Sequence, residues 1–199
     1  MALDADDYPR SLKSPAAQER RRAMLALPHV APLVRYTEQL RSRPGACVPE
    51  FDPCDGGIDA RILFLFEKPG PKTDVARGGS GFISRNNNDP TAKATHGFLI
   101  PAGVPRGDTV LWNLIPWWND TRDLTREEQT DGRREVSNLV ALLPRLHTVV
   151  LVGRTAQAAR PYLDGFKMIE SDHPSPLVRA KFFERWKAIP DAWRQATLV

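Results

Sequence analysis

Cysteine is scarce in this chain: Cys47 and Cys54 are the only two in 199 residues. Two thiols cannot supply the four ligands of an iron–sulfur cluster, and their spacing fits no common zinc pattern. They read as ordinary reduced cysteines, and no metal or cofactor is expected. Long hydrophobic runs are also missing, so no segment is long enough to span a bilayer. The first seven residues, Met1-Ala2-Leu3-Asp4-Ala5-Asp6-Asp7, are acidic and lack the apolar core of a signal peptide. The expectation is a cytoplasmic protein with no membrane partner. Neither Gly-x-Gly-x-x-Gly nor a phosphate-loop lysine motif occurs, which argues against a nucleotide-binding enzyme. No internal repeat or long linker divides the sequence.

What remains suits one domain over 1–199. Residues 1–57 read as a helical cover and turn-rich bridge, and 58–199 as an α/β core. Lysine and arginine number 28 against 24 acidic residues, a net charge of +4. This excess permits an anionic partner such as DNA without demanding one. Residues 15–44 read as two helices, broken near Pro28 to Pro32 and ended by Arg43-Pro44-Gly45. The run Arg20-Arg21-Arg22 is expected on a solvated helix face. Pro53 to Gly57 then leads into the first strand.

Four short apolar runs follow: Ile62 to Phe66, Thr109 to Ile115, Thr148 to Val152 and Phe166 to Ile169. Continuous apolar runs without alternation suit parallel strands covered on both faces. Thr125 and Glu128 form a capping-box pattern, and Val136, Leu139, Val140 and Leu143 give the stripe of the helix it opens. Gly153-Arg154-Thr155 opens another helix, Ala156 to Leu163. The expected fold is a three-layer α/β/α sandwich with a small, mainly parallel four-stranded sheet.

Loops at strand ends carry the chemistry in such folds. Glu67-Lys68-Pro69-Gly70-Pro71 follows the first run, and Trp112 to Trp118, with Asn113, closes the second. The last run is followed by His173-Pro174-Ser175-Pro176-Leu177, which its prolines should keep as a stiff loop outside any helix. Each has a bland reading: a turn, core tryptophans, a locally satisfied histidine. Their joint order outweighs it.

These segments resemble the uracil-DNA glycosylase superfamily. Phe66-Glu67-Lys68-Pro69-Gly70 is similar to the Gly-Glu-Ala-Pro-Gly form of its first loop, and Val110-Leu111-Trp112-Asn113 to its strand ending in asparagine. His173 to Leu177 matches the last loop of its best-known branch residue for residue, with Phe182-Phe183 beyond. The resemblance spans roughly residues 61–187. It implies a DNA repair enzyme, a monomer, that flips uracil out of single- or double-stranded DNA and hydrolyses its glycosidic bond. In that reading Asn113 reads the uracil edge, with Pro69 and Gly70 beside it. Phe82 stacks on the base, although a loop anchor in the core is almost as good an account of that ring. His173 donates to uracil O2 as charge develops there. Leu177 wedges into the gap left in the stack, while Ser175, Pro176 and Arg179 contact DNA, with Lys181 adding charge.

Lys68 departs from the pattern, standing where the best-known branch has an aspartate that activates water. A protonated lysine has no acceptor to offer. Glu67, Asp74 or Asp89 could position the water instead. Lys68 could bind phosphate, or, as a neutral amine, attack the sugar as in a bifunctional glycosylase/lyase. Asp89 lies in Arg85-Asn86-Asn87-Asn88-Asp89-Pro90, which otherwise reads as a tight turn. Two rivals stay in view. A serine hydrolase would use Ser80, but Gly78-Gly79-Ser80-Gly81-Phe82 fails the nucleophile-elbow pattern. A non-catalytic or weakly catalytic module would bind uracil or abasic DNA without turnover.

Overall fold

The structure is a computed structural model that describes residues 6–42 and 47–198. Helices α1 (Pro15–Ala23) and α2 (Ala31–Arg41) come first, each with proline in its first turn, where the missing N–H is harmless. The expected stop at Arg43-Pro44-Gly45 lies outside the described residues. Then come β1 (Glu50–Phe51), β2 (Ile62–Phe66), β3 (Phe82–Ile83), α3 (Pro90–Leu99), β4 (Thr109–Asn113) and α4 (Arg126–Val140). The chain finishes with β5 (Thr148–Val152), α5 (Arg154–Gln157), β6 (Lys167–Ser171), α6 (Pro176–Lys181), α7 (Phe183–Lys187) and α8 (Ile189–Arg194).

The main sheet has the order β4-β2-β5-β6, parallel throughout, and β1 pairs with β3 in a separate two-stranded sheet. Every residue of β2, β4 and β5 is buried, because helices cover both faces. Phe64, Leu111, Val150 and Ile169 stand in register on one face. There Trp193 of α8 meets Phe64 edge-on at 5.0 Å and Phe98 of α3 at 5.9 Å. On the other face Trp112 stacks on Phe51 at 3.6 Å and packs beside Tyr36 of α2. The result is the three-layer α/β/α sandwich expected from the apolar runs. The chain runs from β2 to β4 on one side and then crosses to β5 on the other. That reversal opens a crevice at the carboxyl ends of the strands.

Several boundaries differ from expectation. Strand β4 ends at Asn113, although the amides of Leu114 and Ile115 still donate to Phe66 and Glu67 at 2.8 and 3.0 Å. The last strand runs from Lys167 to Ser171 rather than from Phe166 to Ile169. The helix expected over Ala156 to Leu163 is one short helix, α5, and a 3-10 turn at Arg160–Tyr162, since Pro161 cannot continue an α-helix. Pro176 and Leu177 are not in the loop but start α6, with Pro176 at the first helical position. The capping box at α4 is formed in both directions, between Thr125 and Glu128.

The arginine run is only partly a solvated face. Arg22 pairs with Glu19 on the surface, but Arg21 is 1% exposed, with its Nε 3.1 Å from Asp52. No helix among the described residues is long and apolar enough to cross a membrane, and no cluster there suits a metal ion.

Candidate active site

All four ends of the main strands contribute to one cavity of about 1080 Å³. Phe66, Leu111, Val152 and Ile83 give it an apolar floor. Glu67, Lys68, Pro69, Gly70, Asp89, Asn113, His173, Ser175, Pro176 and Leu177 all line it, so the sequence-predicted loops do converge.

Asn113 stands opposite Phe66 in the β-ladder, and its side chain has no hydrogen-bond partner among the described residues. The residue is 5% exposed, so an amide that could bond four ways is left open to the cavity alone. His173 sits edge-on to Phe66, with ring centroids 5.9 Å apart. Gly153 makes room for it: φ is +86°, and a Cβ there would lie 3.3 Å from the His173 Cβ. Burial pushes the imidazole below its ordinary value and Arg122 works in the same direction, while Glu67 opposes them. The ring is therefore neutral at pH 7, with its nitrogens unengaged by other described residues. Glu67 accepts a hydrogen bond from the Thr155 hydroxyl of α5.

Ser175 caps α6, its oxygen accepting from the Val178 amide at 3.3 Å. Asp89 caps α3, accepting from the Ala92 amide at 2.8 Å, so the Asp-Pro pair starts a helix rather than a tight turn. Burial raises the Asp89 carboxyl above its ordinary value, against the pull of the Ala92 and Thr91 amides and of Arg122.

Other expected site residues lie elsewhere. Phe82 is 1% exposed, packed with Leu12 and Ala17 under the N-terminal segment, and does not reach the cavity. It is the core anchor; its neighbour Ile83 presents the apolar surface instead. Asp74 caps a 3-10 turn through the Ala76 amide at 2.9 Å and lies 3.5 Å from Arg77, away from the cavity. Arg179 lies over the Trp186 ring at 5.1 Å and is not part of the cavity wall. Trp112, Trp117 and Trp118 are buried and do not line the cavity, in keeping with their reading as core tryptophans. The Ser80 hydroxyl donates to Asn87 at 2.6 Å and is only 3% exposed, which removes it as a nucleophile.

Lys68 is the main correction. Its Nζ donates to Glu128 at 2.7 Å and to the Asp123 carbonyl at 3.3 Å, with 3% of the side chain exposed. Glu128 also accepts from Thr125, Asn119 and Trp117, at 2.9, 3.1 and 3.3 Å. Burial would raise the Glu128 carboxyl, but Lys68 and the Thr125 amide hold it below its ordinary value. The ammonium thus ties the first loop to the start of α4 and is not a free amine. Borohydride reduction during reaction with damaged DNA is expected to trap no adduct. Glu128→Gln, which strands a buried ammonium, is expected to cost about 3–5 kcal/mol in urea unfolding.

Three of the cationic side chains lining the cavity, Lys72, Arg122 and Arg154, carry no motif for this role in the sequence. Arg122 lies over Gly70, where a Cβ would be 3.1 Å from its guanidinium. Lys72, Arg122 and Arg154 have no acidic partner among the described residues. Arg122 comes from an irregular segment with no periodicity to mark it. Arg154 and Thr155 had a usable signal, since they follow a parallel strand just as the other loops do.

Residues 53–197 match the family model of the Uracil DNA glycosylase superfamily. The chain belongs to that superfamily. It is similar to the solution NMR structure of a "putative Uracil DNA glycosylase" from Methanosarcina acetivorans, at 16% identity and TM-score 0.47, over 69% of this chain and 91% of that one. No curated protein matches this chain.

Proposed function

We propose that this superfamily member is a DNA glycosylase that hydrolyses the bond between uracil and deoxyribose, leaving an abasic site. The observation that carries the reading is that Asn113 and His173 face one cavity with no other hydrogen-bond partner among the described residues. An amide can donate to uracil O4 and accept from N3–H, whereas cytosine presents the reverse pattern. The base enters from the helix stack and lies over the apolar floor of Ile83, Leu111 and Phe66.

As the C1′–N1 bond breaks, its electron pair passes to the base and charge gathers on O2. The neutral His173 imidazole donates a hydrogen bond to that oxygen. The sugar becomes oxocarbenium-like, water adds to C1′, and a carboxylate takes the released proton. Glu67 and Asp89 are the candidates that line the cavity; burial raises the Asp89 carboxyl above its ordinary value, in the direction that favours accepting a proton. Leu177 fills the vacated stack, and Lys72, Arg122 and Arg154 attract the phosphates.

The test is release of free base from a uracil-containing oligonucleotide in EDTA. Uracil release without metal supports the reading, and whichever of Asp89→Asn and Glu67→Gln slows it more marks the carboxylate that takes the proton. Tight binding to abasic DNA with no release would replace it with a lesion-binding module.

A further inference from the structure

Beyond the cavity mouth, the chain exposes three large apolar side chains within seven residues. Leu177 is 62% exposed, Phe182 49% and Phe183 48%. Leu177 fits the gap left by one flipped nucleotide and Phe183 stacks on Trp186 at 6.3 Å, but Phe182 is left without an account. Phe182 itself lines the cavity mouth. Its ring is fixed from behind: the Arg185 guanidinium lies 5.1 Å from its centroid, and Asp172 holds that guanidinium through contacts of 2.5 and 3.0 Å. Arg179, Lys181, Arg185 and Lys187 share the same short stretch with a single acid, Glu184. Arg179 and Lys181 have no acidic partner among the described residues.

We infer that the α6–α7 face is a landing surface for unpaired nucleotides, with Phe182 stacking on a base next to the flipped one. The inference rests on the reading of the cavity as a site for a flipped base and names the substrate form it favours: single-stranded DNA. A flat exposed ring held by a cation, flanked by a lysine and an arginine that no carboxylate neutralises, is how proteins grip single strands without reading sequence. In a duplex the neighbouring bases are stacked on one another and offer the ring no free face. The positive balance of the patch favours a polyanion over an apolar protein surface.

Binding is measured by fluorescence anisotropy with labelled oligonucleotides carrying one tetrahydrofuran abasic site, single-stranded and duplex. Phe182→Ala is expected to weaken single-strand binding by about 5- to 100-fold, the loss of one stacked base. Duplex binding should change by less than about twofold, and Phe182→Trp should restore the single-strand affinity. Equal loss on both forms, or no loss on either, overturns the inference; the second outcome would point to a protein partner for this face. Wild-type protein that binds single strands through Phe182 yet releases no uracil would sink the glycosylase reading and leave this surface standing. Uracil release indifferent to Phe182 on either form, with affinities unchanged, would do the opposite.

Discussion

Replacing His173 by alanine is expected to slow uracil release by about 10²- to 10³-fold, the effect of removing one preorganised donor from a developing oxyanion. The bond it makes strengthens only as charge builds on the base, so the loss should fall on the single-turnover rate and spare KM. Gly153→Ala offers an independent route to the same defect. The new methyl would be strained at φ +86° and would press on the His173 Cβ from 3.3 Å. Acid should act in a related way. Burial holds the His173 pKa below its ordinary 6.5, with Arg122 lowering it further and Glu67 resisting. Between the unfolded and folded values the unfolded chain binds the proton first. The stability contributed by the neutral ring is therefore complete above pH 6.5 and declines as pH falls below it. His173→Ala should remove that slope from urea midpoints measured between pH 5 and 8. An unchanged single-turnover rate in the variant would exclude His173 from the reaction.

The fold is readable because three of its four main strands, β2, β4 and β5, are buried along their whole length. Ile62–Phe66 and Thr148–Val152 are unbroken apolar runs, and their bounds in the structure are those of the runs. The capping box at Thr125 was equally local, needing only residues three apart. At the site, the loops of Glu67, Asn113 and His173 could be placed from strand order alone, because parallel strands bring their carboxyl ends to one edge.

Side-chain partnerships far apart in sequence could not be read in this way. By its loop position Lys68 reads as a cavity amine, and only Glu128, sixty residues on, shows it to be tied down. Phe82 and Ile83 both read as apolar, and only the packing of Leu12 and Ala17 decides which turns inward. Arg21 sits in a basic run whose local signal is a wet helix face; Asp52, buried against it, overrides that signal. Asn88-Asp89-Pro90 satisfies the rules for a turn and for a helix start alike, and α3 settles which one forms.

Arg106→Met is expected to be among the most destabilising single changes in this chain, and its cost should grow with pH. The guanidinium lies 2.8 Å from Asp7, 2.7 Å from Asp52 and 2.9 Å from Asp55. Asp52 keeps Arg21 as a partner and Asp7 keeps Arg85, but Asp55 has no other ion pair among the described residues. Losing one partner of a buried pair costs about 3–5 kcal/mol, a large part of a typical stability of about 5–15 kcal/mol. Burial already pushes the Asp55 carboxyl up to about 7, with Asp52 adding to the rise and Arg106 opposing it. A carboxyl raised in the folded state contributes stability that is complete below its unfolded value and lost as pH rises through the folded one. Without Arg106 that folded value rises further, so Asp55 stays protonated at pH 5 and is forced to choose between burial and charge at pH 8. The variant should therefore be nearest wild type at pH 5 in urea titrations and weakest at pH 8. Adding Asp55→Asn should recover stability at pH 8 and little at pH 5, since the amide replaces a group that is neutral there already. The same cluster braces the cavity, because Asp7 also receives Arg85, part of the cavity wall, and the Asn86 amide behind it. Activity in Arg106→Met should then fall along with stability and return with it in the double variant. A destabilisation independent of pH would show that the cost lies in lost packing around Arg106 rather than in the stranded carboxylate.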